Sequence, residues 1–299
     1  MAAASAATVP PLAPAERVAP GPWSSLRLRT LSALVLAPVA IAAAWFGSPW
    51  LEIVTAAAGA VMAWEWARLC LAGQLRDSGI MLIGTVLLAV ASEVAAGVAV
   101  AIGVSLAGTV LVFTASRREP DGEPRWLAAG TLWIALPCVL LLWLARLEDA
   151  GLGDAGLENV GRATVLWMFA VVWATDIGAY AIGRQIGGPR LAPRWSPRKT
   201  WAGLLGGVAC AALVGWGTAH TLGISPILPL VLVSGGLAIV EQFGDLAESV
   251  AKRRFGVKDT SGLIPGHGGL LDRLDGLLAV IPAVALLTLI GGGSVLTWR

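Results

Sequence analysis

Residues 200–240 contain no Asp, Glu, Lys or Arg, and neither do residues 276–298. These two uncharged stretches restrict the fold of the 299-residue chain more than any other feature. About 20 consecutive apolar residues are what a helix needs to cross the hydrocarbon core of a bilayer. Similar apolar runs recur at roughly 30–47, 50–71, 78–92, 94–115, 126–145, 163–183, 201–221, 226–243 and 276–294. The run over 200–240 is too long for one span and is divided by the turn signal Gly223-Ile224-Ser225-Pro226. Only 13% of residues are charged, whereas soluble globular chains carry roughly 25%. The predicted fold class is therefore all-α: a polytopic integral membrane helix bundle of about nine transmembrane helices. The third run is short and Glu93 separates it from the fourth, so that pair also fits a re-entrant or interfacial arrangement.

Residues 1–28 are rich in Ala and Pro and read as a disordered cytoplasmic tail, without the early apolar stretch of a signal peptide. The N-terminal transmembrane helices are expected over 29–160 and a C-terminal transmembrane region over 161–299. With the N-terminus inside, 18 of the 21 basic residues fall in cytoplasmic segments and only Arg146, Arg162 and Arg299 outside. That asymmetry follows the positive-inside rule. The outer 146–162 loop is instead acidic, with Glu148, Asp149, Asp154 and Glu158. A net charge of +2 gives no reason to expect nucleic acid. Cys70, Cys138 and Cys210 lie in apolar runs at spacings that suit neither disulfides nor zinc.

Against this apolar background the segment Ser249–Asp275 is dense in polar residues: Lys252, Arg253, Arg254, Lys258, Asp259, His267, Asp272, Arg273 and Asp275, with five glycines. Charge beside a bilayer is expensive to keep without a function. Just before it, Asp245 and Ser249 are four apart and share a helical face, with Glu248 close by. Such a cluster is either an ordinary helix end in water or part of a metal–phosphate site. Asp272 and Asp275 are three apart on the opening turn of the last span and face the same way. Hard carboxylate oxygens suit Mg²⁺, which bridges protein carboxylates to substrate phosphates. Gly268 and Gly269 precede that helix, where backbone amides can approach an anion. His267 has no His or Cys companion nearby, so its reading stays open among ligand, acid or base, phosphate contact and loop anchor.

A second polar patch runs from Asp176 to Thr200. Asp176 lies inside the sixth span, with Tyr180 one turn on and Arg184 one turn further. Its partner is expected on another helix, either as a structural ion pair or as part of a site. The following loop carries Arg190, Arg194, Arg198 and Lys199 and no acid. It suits anionic lipid head groups. Ser196, Lys199 and Thr200, just before a helix N-terminus, equally suit a substrate phosphate.

The spacing of Ser249, Lys252-Arg253, Lys258-Asp259, Pro265, His267-Gly268-Gly269, Asp272-Arg273 and Asp275 resembles the signature of the phosphatidate cytidylyltransferases (CDP-diacylglycerol synthases). Asp176, Tyr180, Gly183-Arg184, Ser196-Pro197, Lys199-Thr200 and Gly203 resemble the same family's upstream pattern. Ala251 departs from it, where the family has a larger aliphatic residue. The resemblance is strong over about 160–280. It implies transfer of CMP from CTP to phosphatidate, giving CDP-diacylglycerol and pyrophosphate, by an enzyme of phospholipid biosynthesis. It implies an integral protein of a bacterial plasma membrane with its catalytic region, 161–299, opening to the cytoplasm.

On that reading Asp245 and Asp272 hold Mg²⁺, with room for a second cation and with support from Asp275. Lys252, Arg253, Lys258 and Arg273 bind phosphates, and Asp176, Tyr180, Arg184, Ser196, Lys199, Thr200, Ser249, His267, Gly268 and Gly269 contact substrate. Lys252 and Lys258 join the three aspartates as the catalytic set. CTP, phosphatidate and membrane lipids are the expected partners, and a homodimer stays open. The alternatives are a CTP-using lipid kinase, a CDP-alcohol phosphotransferase and a transporter. The phosphotransferase's paired-Asp spacing is not found here. A transporter would place its charges near the bilayer midplane.

Overall fold

The computed structural model describes residues 22–120, 123–147, 159–264 and 268–298. Its helices are α1 (Pro22–Phe46), α2 (Trp50–Cys70), α3 (Asp77–Ala96), α4 (Val98–Ser116), α5 (Pro124–Ala145), α6 (Val160–Ile186), α7 (Trp201–Thr221), α8 (Leu228–Arg254) and α9 (Leu271–Gly291). Seven of them, α3 to α9, are long and apolar enough to cross a bilayer. Of the other two, α1 has the apolar stretch Leu34–Phe46 among the described residues, and α2 carries Glu52, Glu65 and Arg68. The chain is an all-α polytopic membrane protein.

Several boundaries differ from the sequence expectation. α1 begins at Pro22, inside the segment read as tail, because proline is well suited to a first helical turn. Residues 1–21 and most of the acidic 146–162 loop lie outside the described residues, as does Arg299. The α3–α4 break falls at Gly97, whose φ of +86° favours glycine, and not at Glu93. Glu93 instead closes the last turn of a full-length α3, so both helices of that pair can span. The apolar part of α8 ends near residue 243, but the helix itself goes on, in keeping with the shared helical face of Asp245 and Ser249. It continues to Arg254, so Asp245, Glu248, Ser249 and Lys252 lie on one helix. The only strands among the described residues are β1 (Arg190–Ala192) and β2 (Ser196–Thr200). They form an antiparallel hairpin that pairs Arg190 with Thr200 and Ala192 with Ser196.

Ion pairs and hydrogen bonds at the two ends of the bundle show that the helices alternate in direction. At one end, Glu52 at the start of α2 and Glu93 near the end of α3 both meet Arg146 after α5, at 2.9 and 2.8 Å. At the other, Arg254 ending α8 pairs with Glu123 before α5 at 2.7 Å. Trp66 near the end of α2 donates to the Trp126 carbonyl there. The hairpin and the polar motifs sit at this second end. One apolar core gathers α2, α3 and α5 with Leu271 and Leu278 of α9. A second gathers α6, α7, α8 and the rest of α9.

Candidate active site

Glycines bring the motif-bearing helices unusually close. A Cβ on Gly206 of α7 would lie 2.5 Å from the Ile182 Cβ of α6. A Cβ on Gly244 of α8 would lie 2.7 Å from the Asp275 carbonyl of α9. Small residues at such crossings let membrane helices pack backbone to backbone. Two polar regions result, an open cavity and a buried seam.

The cavity, of about 800 Å³, lies between α6, the hairpin, the start of α7 and α8. Asp176, Tyr180 and Arg184 enter from successive turns of α6, Lys199 and Thr200 from β2, and Asp245 from α8. Arg190 and Arg198 complete a cationic wall. Lys199 Nζ is 2.6 Å from Asp245 Oδ2. Ser249 donates from its hydroxyl to Asp245 Oδ1 at 3.3 Å. Tyr180 is not free, because its hydroxyl accepts from Arg184 Nη1 at 2.8 Å. Thr200 caps α7 by accepting from the Gly203 amide at 3.1 Å, which explains its place just before that helix. Asp176 lies against Glu241 of α8, a second acid and not the cation that an ion pair would need. Ser196 lies at the far end of β2, outside the cavity wall.

In the seam between α8 and α9, Lys252 sits between Glu248 and Asp272, with 2.6 Å to Asp272 Oδ1. These side chains are only 12%, 0% and 2% exposed. Asp272 Oδ2 accepts from the Thr260 amide at 2.9 Å, the Thr260 hydroxyl at 3.0 Å and the Gly269 amide at 2.8 Å. Asp275 lies against Glu248 and within the field of Asp245, which links the seam to the cavity.

The glycine loop works differently from the sequence expectation. The amides at the start of α9 are donated to the protein's own carboxylates. Gly269 donates to Asp272, while Leu270 and Leu271 donate to Glu65 of α2 at 2.9 and 2.7 Å. A helix N-terminus stabilises any nearby anion, and here two side chains already fill that place. Gly268, with φ +86°, and Gly269 are needed for this approach: added Cβ atoms would lie 2.8 Å from Asp272 Oδ2 and 2.6 Å from Glu65 Oε1.

The remaining candidates are spread out. Arg253 donates to the carbonyls of Val257 and Trp195, at 3.1 and 3.4 Å, and so ties the hairpin tip to the end of α8. Arg273 is exposed on the first turn of α9, and Lys258 is exposed on the α8–α9 connection, away from the cavity wall. Pro265 and His267 lie outside the described residues. The sequence reading passed over Glu65 and Glu241. Each was visible as a carboxylate within or beside an apolar run, which by itself marks a candidate functional position in a membrane protein.

The donor set bears on a metal. Among the described residues, no three carboxylate, imidazole or thiol groups converge on a common centre. Asp176 and Asp245 are the carboxylates that line the open cavity, and Asp272 Oδ1 keeps a lone-pair direction beyond its bond to Lys252. Glu248 Oε1, buried, accepts no hydrogen bond among the described residues. Hard oxygens in partial shells of this kind fit a cation completed by phosphate oxygens and water, the habit of Mg²⁺, and do not fit a closed tetrahedral zinc site.

The profile of the cytidylyltransferase family matches residues 27–290, nearly the whole chain and both polar regions. The chain belongs to this family. A Brucella suis protein named phosphatidate cytidylyltransferase is 38% identical over 284 residues, covering 90% of this chain and 94% of its own length. One of the same name from Pseudomonas aeruginosa is 33% identical over 272 residues, covering 88% and 96%. A Haemophilus influenzae protein of that name is 42% identical over a shorter stretch of 127 residues, 41% of this chain and 44% of its own. The match to full-length relatives extends into the N-terminal helices, where the polar motifs are absent but Glu65 resides.

Proposed function

We propose that the chain transfers CMP from CTP to phosphatidate, yielding CDP-diacylglycerol and pyrophosphate. The observation that carries this reading is the 800 Å³ cavity walled by Arg184, Arg190, Arg198 and Lys199, opening onto Asp245 in a chain of the cytidylyltransferase family. A phosphate oxygen of phosphatidate attacks the α-phosphorus of CTP, and the bond to the pyrophosphate oxygen breaks. Because the lipid phosphate is already an anion, no strong general base is required. Such transfers depend on alignment and charge neutralisation more than on covalent participation of the protein.

Lys199 is the cation nearest the open carboxylate. In this reading it leaves Asp245 to bind a substrate phosphate. The arginines of the cavity wall hold the triphosphate, and Lys252 presents its charge from the seam. Asp245 and Asp272 are the proposed Mg²⁺ ligands, with Asp275 in support. When bound, the ion supplies charge neutralisation between the phosphate groups.

The nine helices are all proposed to cross the membrane, with the N-terminus and the motif end of the bundle in the cytoplasm of a bacterial cell, where CTP is found. The 18-to-3 division of basic residues supports this. A cysteine at Gly262, where an added side chain meets nothing within 4 Å, should be labelled only from the cytoplasmic side, and one at exposed Thr221 only from outside. Reversed labelling overturns the orientation. For the reaction, pyrophosphate release from CTP by purified protein is measured with and without phosphatidate in mixed micelles. Release that depends on phosphatidate, with CMP appearing in the lipid fraction, is the expected result. Transfer of the γ-phosphate to a lipid alcohol instead would replace this reading with a kinase.

A further inference from the structure

Glu65 is fully buried on α2. Its Oε1 accepts from the Ser261 hydroxyl at 2.6 Å and the Leu270 amide at 2.9 Å, and its Oε2 accepts from the Leu271 amide at 2.7 Å. A buried carboxylate is tolerated where its oxygens are hydrogen-bonded, and a helix N-terminus adds a favourable dipole. The residue at the N-cap of α9, Leu270, has no side-chain acceptor of its own. The capping acceptor comes instead from a helix 205 residues away in sequence.

What lies next to these bonds gives them their meaning. Amides 269, 270 and 271 are divided between two carboxylates: the first serves Asp272, the next two serve Glu65. The α8–α9 connection is gripped at adjacent residues, Thr260 by Asp272 and Ser261 by Glu65. Asp272 in turn fixes Lys252.

We infer that Glu65 is a positioning residue for the reaction: it sets the start of α9 so that the Asp272 carboxylate faces Lys252 at the correct angle. The inference rests on the reading that Asp272 and Lys252 serve the metal and the phosphates. It gives the N-terminal helices a part in a chemistry whose motifs all lie beyond residue 160.

Glu65→Gln keeps the shape but turns a donor toward the Leu271 amide and removes the charge. The expected result is a fall in kcat of about tenfold or more per folded molecule, as when one preorganised polar contact is lost. A higher Mg²⁺ concentration for half-maximal rate and faster amide exchange across 268–272 should accompany it. Ser261→Ala removes one of the three bonds and should move all three readouts the same way by less, and the double variant should be less impaired than the product of the two. A cap that serves stability alone would lower the melting temperature and leave kcat per folded molecule, Mg²⁺ dependence and exchange at wild-type values, which overturns the inference. If the glutamine variant does not fold, Ser261→Ala decides: reduced kcat with wild-type melting supports positioning, and wild-type kcat overturns it. If Asp272→Asn itself turns over normally, the proposed site is wrong. If Asp272→Asn is dead while Glu65→Gln is normal, only the role of Glu65 is wrong.

Discussion

The open cavity and the buried seam use the same residue types for different purposes. In the cavity, Lys199 and Asp245 form a pair whose side chains are 16% and 28% exposed. Both residues line the cavity, although the Lys199 ammonium is itself covered. In the seam, Lys252, Glu248 and Asp272 are almost wholly buried, and Asp272 is held by four hydrogen bonds. A carboxylate with that many donors is preorganised, and reorganising it on binding would cost the contacts that define it. One set of motifs thus joins a partly open half to a buried, densely hydrogen-bonded half. Asp245, paired with Lys199 and near Asp275, stands between them.

The largest effect is expected on removing the seam's cation. Lys252→Met strands two buried carboxylates, and breaking a buried pair costs about 3–5 kcal/mol. Melting in detergent should drop steeply and activity should vanish with the fold. If Lys252→Met melts like the wild type and loses only its affinity for CTP, Lys252 acts on substrate alone and is not what holds the seam together.

Asp245→Asn tests the other half. Turnover should fall by about 10²-fold or more, in line with loss of a group that stabilises transition-state charge, while melting changes little because the side chain is partly open. Near-normal turnover at saturating Mg²⁺ would remove Asp245 from the metal.

A smaller effect is expected for Lys199→Ala. As a point charge its place is not taken by the neighbouring arginines, and loss of a charge-assisted contact of about 1.5–3 kcal/mol corresponds to roughly 10- to 100-fold in kcat/KM. Kinetics with CTP and phosphatidate each varied would show which substrate it holds. Values within about twofold for both would return the hairpin to lipid-head-group binding.

The smallest effect on catalysis belongs to the opposite end of the bundle. Arg146→Ala releases Glu52 and Glu93 and should cost stability of about 1–3 kcal/mol. Turnover per folded molecule should stay within about twofold. A catalytic defect there would show that the site is coupled through the full length of α2, α3 and α5.

Much of the architecture was legible in the residues. Apolar length and the turn at Gly223 separate α7 from α8, and the three-residue spacing of Asp272 and Asp275 put them on the first turns of α9. Lys199 and Thr200 were correctly set before α7, although the hairpin that carries Lys199 was not visible. Its strand Ser196-Pro197-Arg198-Lys199-Thr200 is short and polar and has none of the alternation that marks a strand. α8 runs on past its apolar stretch, as the helical pairing of Asp245 with Ser249 suggested, because Asp245 meets Lys199 of β2 and Lys252 meets Asp272 of α9.

Composition and periodicity alone determined that the chain is a helical membrane protein with its polar residues collected in two segments. Lipid-crossing length and charge distribution are properties of sequence, and each helix satisfies its own backbone. Which groups the start of α9 holds could only be decided by the tertiary structure. The Gly269, Leu270 and Leu271 amides were free to bind phosphate as far as the sequence shows. It is the packing of α2 beside α9 that brings Glu65 to them, and a contact between residues 205 apart leaves no periodic trace in either segment.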